Sequence, residues 1–224
     1  MSDKIKTLWL NATKGGNLER VKCLLNQFPM MINETENYTY NFIPEHLKIG
    51  ERAMLIAVIS GHLDIVKYLT EEVIGINKEP GSLLIKYGFR PIQIAAKEGY
   101  LDIMKYLMEK VTGINKEPKD LLGRTPIHHA ARYGNEEILK YLMEEATGIE
   151  KEPKDIFGER PIHLAATPFP LPSMDIHLDI VKYLMKRITE KEPKNILGET
   201  PLDLAKKRGH KEVVKFLETY HHKD

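Results

Sequence analysis

Apolar positions along this chain follow a helical period set inside a longer repeat. Between residues 126 and 133, Ile127, Ala130 and Ala131 stand at i, i+3 and i+4, which predicts a helix with one buried stripe. Thr125 is placed to cap it, Pro126 fills the first position, where a missing N–H costs nothing, and Gly134 suits the left-handed residue that ends it. Asn135-Glu136-Glu137 then opens a second helix with acidic residues in its first turn. Ile138, Leu139, Tyr141, Leu142 and Met143 form its apolar face, and it closes near Glu145. Gly148 to Pro153 leads out in an extended turn, so one unit reads helix, turn, helix, extended turn.

That unit recurs. Gly123-Arg124-Thr125-Pro126-Ile127-His128-His129-Ala130-Ala131 has counterparts at 88–96, 158–166 and 198–205, and Pro91, Pro126, Pro161 and Pro201 fall 35, 35 and 40 residues apart. The second-helix phrase Gly61-His62-Leu63-Asp64-Ile65-Val66-Lys67-Tyr68-Leu69 returns at 99–107, 177–184 and 209–217, with a weaker copy at 16–25. A fixed period of this size predicts stacked supersecondary units rather than one closed core. We read one domain over 1–224, with units near 4–29, 50–80, 86–118, 121–153, 156–193 and 196–222, and insertions at 30–49 and 167–176. Lys206, followed by Lys207 and Arg208, stands where inner copies carry Ala96, Ala131 and Ala166, and Leu8-Trp9-Leu10-Asn11-Ala12 replaces the first Thr-Pro phrase. Both ends are therefore expected to be caps.

Thr125-Pro126-Ile127-His128 with Ala130-Ala131, followed by phrases such as Gly61-His62-Leu63-Asp64-Ile65-Val66, resembles the ankyrin repeat over nearly the whole chain. The chain departs from that pattern at Arg52, Arg90 and Arg160 for Thr, at Ala53 for Pro, and at Leu55, Gln93 and Asp203 for His. The resemblance implies an all-α ankyrin-repeat solenoid whose helix pairs are joined by extended finger loops. It implies that His128 and His163 bond the backbone of a neighbouring turn. It also implies a partner protein held by the turn tips as fingers and by the exposed ends of the first helices as palm. Carried over, the fingers are Lys86, Tyr87 and Phe89, then Leu121, Leu122 and Arg124, then Ile156, Phe157 and Glu159, then Ile196, Leu197 and Glu199. The palm positions are Lys97 and Glu98, Arg132 and Tyr133, then Lys207 and Arg208. Asn77 and Asn115 fall near the position that an asparaginyl hydroxylase modifies in this family.

Composition narrows the function further. Thirty-three basic against 32 acidic residues, a net charge of +1, give no electrostatic footprint for nucleic acid. No apolar run reaches the ~18 residues of a membrane span, and Met1-Ser2-Asp3-Lys4-Ile5-Lys6 lacks a signal-peptide core. The expected compartment is the cytoplasm, with the nucleus open. Cys23, the one cysteine, is placed on the apolar face of a helix as a core residue. His62, His128, His163, His177 and His210 fall on repeat positions, and His221-His222 could bind a metal only adventitiously because no Cys or carboxylate spacing completes a site; Gly15-Gly16 lacks the Lys-Ser/Thr of a phosphate loop, and no nucleophile stands with a base. No enzyme activity, metal or cofactor is expected.

What remains is surface. Leu121-Leu122, Ile156-Phe157 and Ile196-Leu197 align on three successive fingers and predict an apolar ridge. Lys-Glu-Pro-Lys-Asp or Lys-Glu-Pro-Lys-Asn precedes each pair, so the pairs equally fit a device of the repeat itself, with one member buried and one presented. The two insertions, the second holding Pro168, Pro170 and Pro172, are further candidates for specificity. The reading is a non-enzymatic adaptor that binds a protein on the concave face and finger tips of its third to sixth units. Arg124, Arg132, Tyr133 and Glu159 would give polar selectivity, with Tyr133 and Phe157 as anchors. A regulatory inhibitor masking one enzyme or transcription factor is the alternative, and self-association is a further use of the ridge.

Overall fold

The computed structural model describes residues 3–35, 47–78, 89–167 and 174–221. Its helices are α1 (Asp3–Lys14), α2 (Leu18–Gln27), α3 (Ile49–Ile59), α4 (Leu63–Glu71), α5 (Pro91–Glu98), α6 (Leu101–Glu109), α7 (Pro126–Tyr133), α8 (Glu136–Lys140), α9 (Pro161–Ala166), α10 (Met174–Arg187), α11 (Pro201–Arg208) and α12 (Lys211–His221). No strand occurs among the described residues. The chain divides into two compact bodies, one of residues 1–95 and 100–116, the other of 96–99 and 117–224, with the boundary inside α5. Within each body the architecture is the all-α ankyrin solenoid that the repeat predicts.

Local chemistry sets the helix ends. Thr125 is extended, Pro126 opens α7, and Gly134 closes it at φ 76°. The Thr125 N–H donates to His128 Nδ1 at 3.1 Å, so the imidazole satisfies the first orphan donor of the helix. In α11 the cap is reciprocal: Thr200 N donates to Asp203 Oδ2 at 2.9 Å, and Asp203 N donates to Thr200 Oγ1 at 3.2 Å. In the fourth repeat α8 widens into a π-helical turn over Tyr141–Glu145.

The second helices α4, α6 and α8 are each stitched to the repeat before by the residue that precedes them, and α10 by His177 in its own first turn. His62 Nε2 lies 2.8 Å from the Lys14 carbonyl, and Tyr100 donates to Ile59 O at 3.3 Å. Asn135 Nδ2 donates to Ala96 O at 2.7 Å and Lys97 O at 2.8 Å, and His177 Nε2 lies 3.2 Å from Arg132 O. These carbonyls are the orphan acceptors at the ends of first helices. The glycine after the first helix makes room: a Cβ on Gly16 would stand 2.7 Å from the His62 ring, and one on Gly61 2.9 Å from the Tyr100 ring.

The connections explain their repeated motif. Lys151 Nζ donates to Ala146 O at 2.6 Å and Lys191 Nζ to Ile188 O at 2.8 Å, closing the preceding helix against its own dipole. Glu117 accepts from Glu150 N at 2.8 Å, and Glu152 accepts from Thr189 N at 2.8 Å, each reaching the next connection. The core is aliphatic, with Ala130, Ala131, Ala165 and Ala166 fully buried where α7, α9 and α11 pack closely. Within the first body, buried Trp9 donates its indole N–H to Val21 O at 3.1 Å.

Cys23 departs from expectation: it is exposed. Helix α2 buries Val21, Leu24 and Leu25, and at ~100° per residue Cys23 turns away from that stripe. Within the first insertion, a 3-10 turn over Pro29–Asn33 packs Met31 and Ile32 against α3. Residues 36–46 of that insertion, 168–173 of the second, and the finger residues Lys86 and Tyr87 lie outside the described residues.

Candidate partner-binding surface

A short side chain at the base builds each finger of the second body. Asp120 Oδ1 accepts from the N–H groups of Leu122 and Arg124, both at 2.8 Å. Asp155 Oδ1 does the same for Phe157 at 2.8 Å and Glu159 at 2.9 Å, and Asn195 Oδ1 for Leu197 and Glu199, both at 2.9 Å. Backbone bonds from Asp120 N to Arg124 O, Asp155 N to Glu159 O and Asn195 N to Glu199 O, each 3.0 Å, close the turns. Consecutive fingers are tied by Ile156 N donating to Leu122 O at 3.0 Å and Ile196 N donating to Phe157 O at 2.9 Å. The sequence reading passed over Asp120, Asp155 and Asn195. Their signal was present, since each directly precedes an apolar pair.

With the turn held by that side chain, the apolar pairs are left outside. Leu121 is 49% exposed, Ile156 57%, Phe157 42%, Ile196 68% and Leu197 74%, while Leu122 is half-buried beneath the next finger. Five of the six tips are therefore exposed: both members of the second and third pairs, and one member of the first.

Arg124, expected as a polar contact at the tip, is buried. Its Nε donates to Asp155 Oδ2 at 3.0 Å and its Nη2 to Glu159 Oε2 at 3.4 Å, because the next finger brings both carboxylates against it. Glu159 is thereby half-buried as well. Both residues lock two fingers together rather than face outward. On the palm, Lys97 pairs with Glu98 and lies 5.3 Å over the Tyr133 ring, an attraction of cation and quadrupole. Arg132 and Tyr133 are half-buried, Lys207 pairs with Glu199 at 2.5 Å, and Arg208 is exposed. The second body thus joins Lys97, Glu98 and Tyr133 on the palm, and links the fingers of Leu122, Ile156, Phe157 and Ile196 in one row. Phe89 is half-buried in the other body, where Asn77 donates to Glu51 Oε1 at 2.9 Å; Asn115, also in that body, is exposed.

Buried imidazoles underlie the fingers. His128 Nε2 lies 3.1 Å from Glu159 O and His163 Nε2 lies 3.0 Å from Pro193 O, as the resemblance implied. With Nδ1 of each accepting from the cap N–H, both rings are neutral Nε2–H tautomers. Burial pushes His128 down to about 4, and it depresses His163 and His129 too. His129 Nε2 stands 3.2 Å from Asp120 Oδ2. Burial alone would raise the Asp120 carboxyl, but His129 and the Arg124 and Leu122 N–H groups hold it below the ordinary carboxylate value.

These shifts share one sign. A folded-state value below the unfolded one means that stability is complete above the unfolded value and is lost as pH falls through the folded one. For His128 the window runs from 6.5 down to about 4, worth roughly 3 kcal/mol at ~1.4 kcal/mol per pH unit. Glu159, raised by burial and Asp155, opposes this in part. Urea midpoints are expected to be level above pH 7 and to fall steadily between 6.5 and 4. A flat profile across that interval would show that the imidazoles are not buried as described.

No three His, Cys, Asp or Glu side chains among the described residues are placed to hold a metal ion. No described helix is long and apolar enough to cross a membrane. A family model for ankyrin repeats, three copies long, matches residues 74–155, and a single ankyrin repeat matches residues 197–222. No curated protein matches the chain.

Proposed function

This chain is an ankyrin-repeat protein, and we propose that it works as a non-enzymatic scaffold that binds a partner protein on the finger tips and palm of residues 96–99 and 117–224. Ankyrin repeats are generally protein–protein interaction modules, and proteins built of them are typically binding scaffolds without catalysis. The observation that carries the reading is the row of exposed Leu121, Ile156, Phe157, Ile196 and Leu197 on three linked fingers. Contiguous exposed apolar side chains of this size mark interaction sites on soluble domains. The fingers are pinned at their base by Asp120, Asp155 and Asn195, so the row is presented with little ordering left to occur on binding.

Phe157 and Tyr133 are the anchors we assign, one at a central tip and one on the palm beneath Lys97. Aromatic residues surrounded by near-neutral contacts carry most of the energy of such interfaces. The test is to capture a partner on the immobilised chain and measure its affinity for the Tyr133→Ala, Phe157→Ala double variant. A loss of about 100-fold, ~2.7 kcal/mol, is expected with the fold retained by circular dichroism. Unchanged affinity in a folded variant would remove both anchors. Recruitment of two partners at once by the wild-type chain would mark an adaptor, whereas one partner bound and silenced would mark an inhibitor.

A further inference from the structure

The finger ladder of the second body ends on a seat that nothing among the described residues fills. A Cβ built on Gly123 would stand 3.2 Å from both Cγ2 and N of Ile156, and one on Gly158 would stand 3.2 Å from both Cγ2 and N of Ile196. At each of these two tips the glycine receives the β-branch methyl of the next finger, and the preceding carbonyl, Leu122 O or Phe157 O, accepts that isoleucine's N–H. At the third tip, a Cβ on Gly198 meets nothing within 4 Å, and no described residue donates to Leu197 O. Cover from Ile196 leaves Phe157 42% exposed; without such cover Leu197 stands at 74%.

The rest of this repeat is finished differently. Where α7 and α9 present Ala131 and Ala166, α11 presents Lys206, paired with Glu218 at 2.8 Å. A polar outer face is what a terminal repeat requires, and exposed strand edges are usually guarded by charge or proline. The helices follow that rule here, whereas the finger keeps Ile196, Leu197 and Gly198 as though another finger followed.

We infer that an extended segment of a partner protein adds to this ladder, donating one backbone N–H to Leu197 O and seating a β-branched aliphatic side chain on Gly198. The seat continues an interface that the chain already forms twice, and those two cases define the ligand. The β-branch methyl is the contacting group, which selects isoleucine or valine over leucine, and the required N–H excludes proline. Charge on α11 disfavours a further helix pair, so the occupant is strand-like. Such edge addition takes affinity from main-chain bonds and selectivity from side-chain seats. The inference rests on the proposed scaffold function and names the backbone chemistry of its partner.

The probe is a synthetic peptide of residues 153–159, Pro-Lys-Asp-Ile-Phe-Gly-Glu, titrated into the isotope-labelled full chain. Saturable amide shifts are expected at Leu197, Gly198 and Glu199. Binding should weaken at least five-fold for the peptide carrying Ile156→Leu, and at least ten-fold when the nitrogen of that isoleucine is methylated. In the protein, Gly198→Asn keeps the left-handed conformation that asparagine tolerates while filling the seat, and should weaken binding ten-fold. Absence of shifts at 197–199, or equal binding by all three peptides, overturns the inference. A captured partner that is lost from the Tyr133, Phe157 variant but kept by Gly198→Asn overturns the seat alone. A partner kept by both variants removes the scaffold surface as well.

Discussion

Replacing one exposed tip on each finger, Leu121→Ser, Phe157→Ser and Leu197→Ser together, is expected to weaken partner binding about 1,000-fold, ~4 kcal/mol, while leaving stability within about 0.5 kcal/mol. The two halves of this expectation have separate causes. Each side chain is exposed in the free chain, so removing it takes little from the fold. In the proposed complex the same atoms would be covered, and burying a large apolar side chain contributes about 1.5–3 kcal/mol, of which ordering costs leave a part. Leu122 is left out because it is half-buried under Ile156, so its loss would mix stability with binding. Paired urea melts and binding isotherms check the result. A folded triple variant that binds as the original does would show that the ridge is not the site, and a large fall in stability would show that the tips are packed.

Asp155→Ala is expected to cost about 4 kcal/mol and Asp155→Asn about 2 kcal/mol, a graded pair set by two jobs of one side chain. Through Oδ1 it receives the Phe157 and Glu159 N–H groups, and through Oδ2 it neutralises buried Arg124. Alanine removes both and leaves a guanidinium in the interior beside the Glu159 carboxylate at 3.4 Å. Asparagine keeps the turn, as Asn195 shows one finger further on, but sacrifices the charge. Denaturant unfolding of the two variants measures the split. Equal losses would mean that one of the two jobs contributes nothing. Because the finger carries Ile156 and Phe157, the alanine variant should also loosen the ridge and lower partner affinity.

Repeat, helices and their ends were legible in the chain because each depends on neighbours in sequence. Pro126, Pro161 and Pro201 open first helices with a fixed φ, and Gly134 and Gly209 close theirs in the left-handed region. Apolar spacing marked the buried faces for the same reason, failing at Cys23, where a single helical step moves a small residue out of the stripe. The imidazoles of His128 and His163 were placed by resemblance, and the carbonyls they meet are in the expected neighbouring turns.

The candidate site was less legible, since it depends on which polar groups meet across a repeat. Arg124 reads in sequence as a charged tip, yet its partner lies 31 residues on, and only stacking brings Asp155 to 3.0 Å. Lys-Glu-Pro-Lys-Asp reads as one conserved-looking phrase, but in three dimensions it divides: the lysine closes its own helix, the glutamate reaches the next connection, and the aspartate folds the finger. Those three roles engage the first lysine, the glutamate and the aspartate, and of the apolar pairs that follow only Leu122 is half-buried. Sequence by itself therefore determined the period, the helices and the alignment of the tips, all consequences of local backbone preference and spacing. Tertiary structure alone decided that Arg124 turns inward while Ile156, Phe157, Ile196 and Leu197 face solvent, because burial is settled by what the adjacent repeat places against each side chain.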